Sequence, residues 1–292
     1  MKYILENDLL RVEADTSGAE LTSIQSKQTG KEYLFDADPA YWKRHAPVLF
    51  PIVGSLKEKK LVIDGKDYPM GQHGFARDRE FLLKEQTRNS LWFALASDEE
   101  SKAVYPYDFC LEIGYVLEGA QVQVLWKVTN TGKKDLHYQI GGHPAFYCPI
   151  EAGEEQSDCW LRFDTQEPVV YRLLNENGLL VDTTYTLDTD QGFYPIRKDL
   201  FDLDALIIEG GQSHQVALCR PDRAPYLTVT FDAPLFGLWS PAKKQAPFVC
   251  IEPWFGRADR AGFAGEIEER EYDQALVPGA SNEYSFSIQI NG

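Results

Sequence analysis

From Gln121 to Val128 the chain alternates with a period of two, broken only by Leu125, placing Val122, Val124, Trp126 and Val128 on one face. That period of two is the signature of a half-buried β-strand. The run meets Asn130-Thr131-Gly132, a turn signal, and a second β-like stretch follows from Leu136 to Gly142. Leu227–Phe231 and Tyr284–Ile290 read the same way. Runs of this kind recur along the chain without a long amphipathic helix; Asp38–Trp42 and Lys198–Phe201 predict single helical turns. No Pro-, Gly- or Ser-rich linker and no repeat of fixed period interrupts them. The pattern predicts an all-β chain, one antiparallel sandwich domain spanning residues 1–292.

Composition narrows the partners. Hydrophobic residues at 43% and charged ones at 25% suit a soluble chain with a large core. The aromatic content of 13% fits stacked sheets and sugar-binding clefts alike. A formal charge of −16 repels phosphate backbones, so neither nucleic acid nor an anionic membrane is expected as a partner. A phosphorylated small molecule stays open, because a few basic residues in one cleft would suffice. Five scattered cysteines without a C-x-x-C pair predict no zinc site and no disulfide framework, only free thiols in a reducing compartment. The first residues, Met1-Lys2-Tyr3-Ile4-Leu5-Glu6, become acidic before any apolar core forms, which argues against a secretory signal. No apolar run approaches membrane-spanning length, so a cytoplasmic protein is expected.

Candidate chemistry gathers at three places. In Gly141-Gly142-His143-Pro144 the proline biases His143 to an extended backbone, and the glycines leave room for a ligand to approach. Alternation would put His137, Gln139, Gly141 and His143 on one face. A strand-end histidine in a glycine-softened corner explains the segment equally well. In Gln72-His73-Gly74-Phe75-Ala76-Arg77 an imidazole and a guanidinium four residues apart can offer donors to a polar ligand, although such loops are common. In Phe248-Val249-Cys250-Ile251-Glu252-Pro253-Trp254 an apolar run is expected to end in a carboxylate. Burial would raise its pKa and make it a base near neutrality, unless it is a paired structural group. Trp254 fits a sugar-stacking face or the core. The acidic stretch Glu266–Glu271 reads as a solvated loop. Phosphate-cradling glycine motifs and a G-x-S-x-G elbow are absent, which leaves acid–base work by His and Glu.

Together the segments resemble the aldose 1-epimerase family, in particular its LacX-like branch, over nearly the whole chain. They are Gly18–Ile24, Trp42–Gly54 with a W-x-x-x-A-P-x-L-F-P-x-x-G pattern, His73–Arg77, Gly142–Phe146 and Cys250–Gly256, in the family's order. The resemblance implies a galactose mutarotase-like β-supersandwich that interconverts the α and β anomers of a hexose without metal or organic cofactor. It implies Glu252 as general base and His143 as general acid, with His73, Arg77, Asp204 and Trp254 contacting the sugar. Many relatives carry a basic residue directly after the F-P-x-x-G glycine; here it is Ser55, with Lys57 two further on. A hexose 6-phosphate is kept as an alternative substrate, because the His73–Arg77 motif also occurs in phosphate-using relatives, and a non-catalytic carbohydrate-binding protein as an alternative function. Either a monomer or a homodimer is expected.

Overall fold

The computed structural model describes residues 1–291. The hairpin Phe109–Glu118/Gln121–Asn130 lies inside a nine-stranded antiparallel sheet, flanked by Ser90–Ala96 and Leu82–Gln86 on one side and Ser281–Ile290 on the other. Beyond Ser281–Ile290 follow Pro225–Phe231, Gln215–Cys219, Trp160–Phe163 and Phe193–Pro195. The alternation in Gln121–Asn130 is realised as buried and half-buried positions in turn, which lets one face pack while the other meets water.

A second sheet of eight strands carries the site. It runs from Leu180–Leu187 through Val169–Leu174, Leu206–Glu209, Leu235–Trp239 and Phe248–Phe255 to Ile140–Gly142 and Val48–Leu49, and Ala145–Tyr147 also pairs with Phe248–Phe255. The main core draws on both sheets: Trp126 and Phe286 of the first, 5.4 Å apart, are buried with Phe236, Val249 and Ile251 of the second. Removing each such side chain from water contributes about 1.5–3 kcal/mol, which is what holds the two sheets face to face. A smaller apolar cluster (Leu49, Val53, Leu180, Ala205, Ile207, Leu235, Trp254) supports the second sheet from its other side.

Three expectations change. The run from Leu136 to Gly142 is not one strand: Leu136–Tyr138 pairs with Gln274–Leu276, whereas Ile140–Gly142 joins the eight-stranded sheet. The break falls at Gln139, whose side chain accepts from Val53 N–H (3.2 Å) and donates to the Glu271 carbonyl (2.9 Å). His137 and His143 therefore share no face, and His137 binds Asp273 at 2.6 Å. Asp38–Trp42 is the expected single turn, its Asp38 carbonyl accepting from Tyr41 and Trp42 N–H (3.0 Å each), whereas the segment after Arg197 is a series of turns closed three residues apart and not a helical turn. The α-helix among the described residues is Glu99–Val104, capped by Asp98, too short to leave a periodic signal. Glu266–Glu271 contains the single turn Ile267–Glu269, and its Glu271 is paired with Arg257 and Arg260.

Candidate active site

Glu252 stands in the middle of strand Phe248–Phe255, not at its end, opposite Gly237 of the neighbouring strand. On the other side the ladder is interrupted. Ala145–Tyr147 pairs with Phe248–Cys250 and Ile140–Gly141 with Trp254–Phe255, leaving Gly142-His143-Pro144 across from Ile251-Glu252-Pro253. Both segments contain a proline, which has no N–H to give a ladder. His143 N–H turns instead to the Pro47 carbonyl (3.0 Å). Two His/Glu-Pro dipeptides facing each other thus open a gap in the sheet, and His143 Nε2 lies 3.2 Å from Glu252 Oε2 within it.

The glycines beside His143 serve packing and not ligand access. A Cβ on Gly141 would meet the Trp254 indole at 2.6 Å, and one on Gly142 would meet Trp126 at 3.0 Å. Gly237 is likewise covered by the Trp254 ring. Trp254 is consequently only 4% exposed, a floor under the site.

Burial dominates the electrostatics. It raises the Glu252 carboxyl well above its ordinary range, and the nearby Asp204 charge adds to this. The Trp254 indole N–H beside the carboxylate works the other way, but Trp254 Nε1 makes no aligned hydrogen bond, and the approach of His143 Nε2 to Glu252 Oε2 is a close contact that is not an aligned hydrogen bond either. Burial also pushes His143 down to about 3, assisted by Arg77. A neutral imidazole beside a protonated carboxyl holds one proton between the two groups. An imidazolium–carboxylate pair holds the same number, so the two forms differ only in where that proton sits.

His73 sits on a loop tied to this gap. Its φ of 64° lies in the left-handed region, where a non-glycine residue needs outside support. The support is reciprocal: His73 N–H donates to the Gly54 carbonyl (2.9 Å), and Gly54 N–H donates to His73 Nδ1 (3.1 Å). With Nδ1 accepting, the ring proton belongs on Nε2. Burial, then His143 and Arg77, hold His73 well below the usual histidine range, so it is a neutral donor. Arg77 is anchored by Nη2 on the Gln72 carbonyl (2.7 Å), while its buried Nε has no partner. Asp78 is 4.0 Å from that Nε and is itself bonded by Arg44 at 2.8 Å. Burial and Arg44 lower the Arg77 guanidinium to about 10.

Asp204, exposed and at a φ of 77°, projects from the opposite rim and accepts from Trp239 Nε1 at 2.9 Å. All six predicted residues (His143, Glu252, His73, Arg77, Asp204 and Trp254) line one cleft of about 260 Å³, near the lower end of the ~300–1,000 Å³ typical of ligand sites. Sequence reasoning missed Trp42, Trp239, Gln72 and Arg257, which line it too. Arg257 is buried and neutralised by Glu209 (2.7 Å) and Glu271, unlike Arg77. Among the described residues, His143, Cys250 and Glu252 bring three donor atoms within 4.8 Å of one another, but the positive field of Arg77 and Arg44 at His143 works against a cation there.

A family model described as aldose 1-epimerase matches residues 1–288. The chromosomal protein LacX of Lactococcus lactis subsp. lactis is 35% identical over 99% of both chains. A galactose mutarotase related enzyme from Lactobacillus acidophilus superposes with a TM-score of 0.94 at 34% identity, covering 100% of this chain and 98% of its own. A galactose mutarotase-like protein from Lactobacillus casei ATCC 334 gives 0.93 at 26% identity, covering 100% of both.

Proposed function

Because the chain belongs to the aldose 1-epimerase family and has the galactose mutarotase-like all-β fold, we propose that it interconverts the α and β anomers of a hexose in the cleft around Glu252 and His143. The observation that carries this is the 3.2 Å approach of His143 Nε2 to Glu252 Oε2 in a gap of the sheet, close enough for the pair to share one exchangeable proton. In the imidazolium–carboxylate form Glu252 takes the proton of the C1 hydroxyl while His143 gives its proton to the ring oxygen. The C1–O5 bond breaks and leaves the open-chain aldehyde. Rotation about C1–C2 and reclosure with the two roles reversed gives the other anomer and restores the proton. The cycle balances within two side chains and the sugar, so it calls for neither metal nor organic cofactor.

His73 donates Nε2–H to a sugar oxygen, Asp204 accepts from hydroxyls at the rim, and Trp254 forms the floor. The same reading takes residues 1–292 as one domain, supported by a main core that joins Leu5 to Ile290, and puts a monomer or homodimer in the cytoplasm. A second reading, a hexose 6-phosphate, is favoured by Arg77, whose charge is less fully neutralised than that of Arg257. Arg77→Met should raise KM for a 6-phosphate about tenfold or more, in keeping with loss of a charge-assisted contact, and far less for the free sugar.

The test is polarimetric. Freshly dissolved α-glucose, α-galactose and their 6-phosphates are followed with and without protein; a faster approach to the same final rotation, lost in Glu252→Gln, is expected. No acceleration with any of them would leave the carbohydrate-binding reading in its place.

A further inference from the structure

His143 lacks the usual means of orienting a catalytic imidazole. Its buried Nδ1 is held by no other residue, its own backbone being the one polar group that favours the protonated ring, whereas His73 has Nδ1 fixed by the Gly54 N–H. Acid–base histidines generally owe ring orientation and tautomer to a bond at the second nitrogen. Here the ring is held by aromatic faces. Trp42 stacks on it with ring centroids 4.7 Å apart and planes 30° apart, and Trp239 meets it edge-on at 5.4 Å. Trp42 is itself backed by Phe248 at 6.0 Å, and its backbone N–H closes the turn onto the Asp38 carbonyl at 3.0 Å.

We infer that Trp42 is a positioning residue for His143, fixing the imidazole plane against Glu252 and favouring its protonated form through the indole π face. This rests on the epimerase reading above. The physical case has two parts. A ring that no other residue holds at Nδ1 depends on packing for a single rotamer, and Trp42 covers a face while His73 and Trp239 stand nearly perpendicular to it. An imidazolium in this cleft is disfavoured by burial and by the guanidinium groups of Arg77 and Arg44, whereas the negative face of an indole attracts a cation. The acid step needs that cation, so Trp42 supports the form in which His143 can protonate the ring oxygen. The stacking also decides what Trp42 is not: the face turned to His143 is occupied and cannot serve as a sugar platform.

Trp42→Met keeps bulk and removes the π face, Trp42→Leu is a second non-aromatic variant, and Trp42→Phe keeps a smaller π face. On the aldose that the wild type turns over, the non-aromatic variants should lose kcat by about thirtyfold, the scale of a desolvated cation–π contact, with KM little changed. Trp42→Phe should recover most of that loss. Proton–nitrogen spectra of the imidazoles in the free protein should show a second set of His143 signals in Trp42→Met, while His73, fixed at Nδ1 by Gly54, shifts with its neighbour but keeps its tautomer. A raised KM with intact kcat would make Trp42 a substrate contact and overturn the inference. If the wild type turns over no aldose, the epimerase reading falls and the spectra decide alone: one retained His143 set overturns the role of Trp42, and a second set upholds it.

Discussion

At the scale of single residues the account turns on two groups whose burial opposes their charges. Glu252 binds its proton more tightly in the folded chain than in the unfolded one, where the ordinary value is 4.5. Its contribution to stability is therefore full below about 4.5 and is lost as pH rises towards the raised folded value. Glu252→Gln removes that loss. The variant should melt at a higher temperature than the wild type, and its advantage should grow above pH ~5 by up to about 1.4 kcal/mol per pH unit. Parallel melts from pH 4 to pH 8, about a unit apart, check the sign; a variant that is uniformly less stable would contradict it. His143 has the opposite shift, so it stays neutral as pH falls through the ordinary 6.5 and takes a second proton into the pair only towards about 3. Protonation of His143 should accordingly add no inflection near 6.5 to the pH–rate profile for kcat/KM, and the alkaline limb should follow loss of the shared proton at the raised Glu252 value. These residues were legible in the sequence because each stands in a distinctive segment: His143 between glycine and proline, Glu252 in an apolar run, His73 and Arg77 four apart. Trp42 and Trp239 were not legible as site residues, since an aromatic side chain in a β-rich sequence reads equally well as core and only the fold brings both rings to His143.

At the scale of elements, irregularities place the chemistry. Alternation located Gln121–Asn130 with nearly the right ends, because a hairpin strand with one buried face leaves the period intact. It failed across Gln139, where a buried amide is bonded to the loops at Val53 and Glu271, and at Glu252, which was expected to end an apolar run but lies in a strand that continues to Phe255. A proline can stand inside that strand because its partner has a proline of its own opposite the same gap. The His73 loop is equally dependent on its backbone. Gly54 has a φ of 74°, and a Cβ there would lie 2.6 Å from the Ala258 nitrogen. Gly54→Ala should cost roughly 1–3 kcal/mol of stability and raise KM by loosening His73. Chemical denaturation with a parallel activity assay checks both effects, and unchanged stability would refute the close-packing argument.

At the scale of the whole molecule, the nine-stranded sheet serves as backing for the eight-stranded one that carries the site. Trp126, 1% exposed, joins them beneath Gly142, one residue from His143. Trp126→Ala should cost about 3–5 kcal/mol and lower kcat as well, because the strand holding His143 loses its support; urea melts and turnover measured together test this. The all-β class and the cleft's six residues were legible from strand-like runs and ordered motifs, while the way two sheets divide the strands was not. Strand order depends on pairings between residues far apart in sequence, such as Gln121 with Gln289, and no local pattern encodes them.

The central claim is that Glu252 and His143 act as one proton-sharing unit, and a double-mutant cycle on the rate of anomer exchange tests it most directly. Glu252→Gln, His143→Ala and the double variant would be compared with the wild type, with folding verified for each. Loss of either partner should cost about 10²–10⁴-fold, and the double variant should be no slower than the slower single one, because either substitution already disables the unit. Wild-type turnover in either single variant, or losses that multiply in the double variant, would contradict the account.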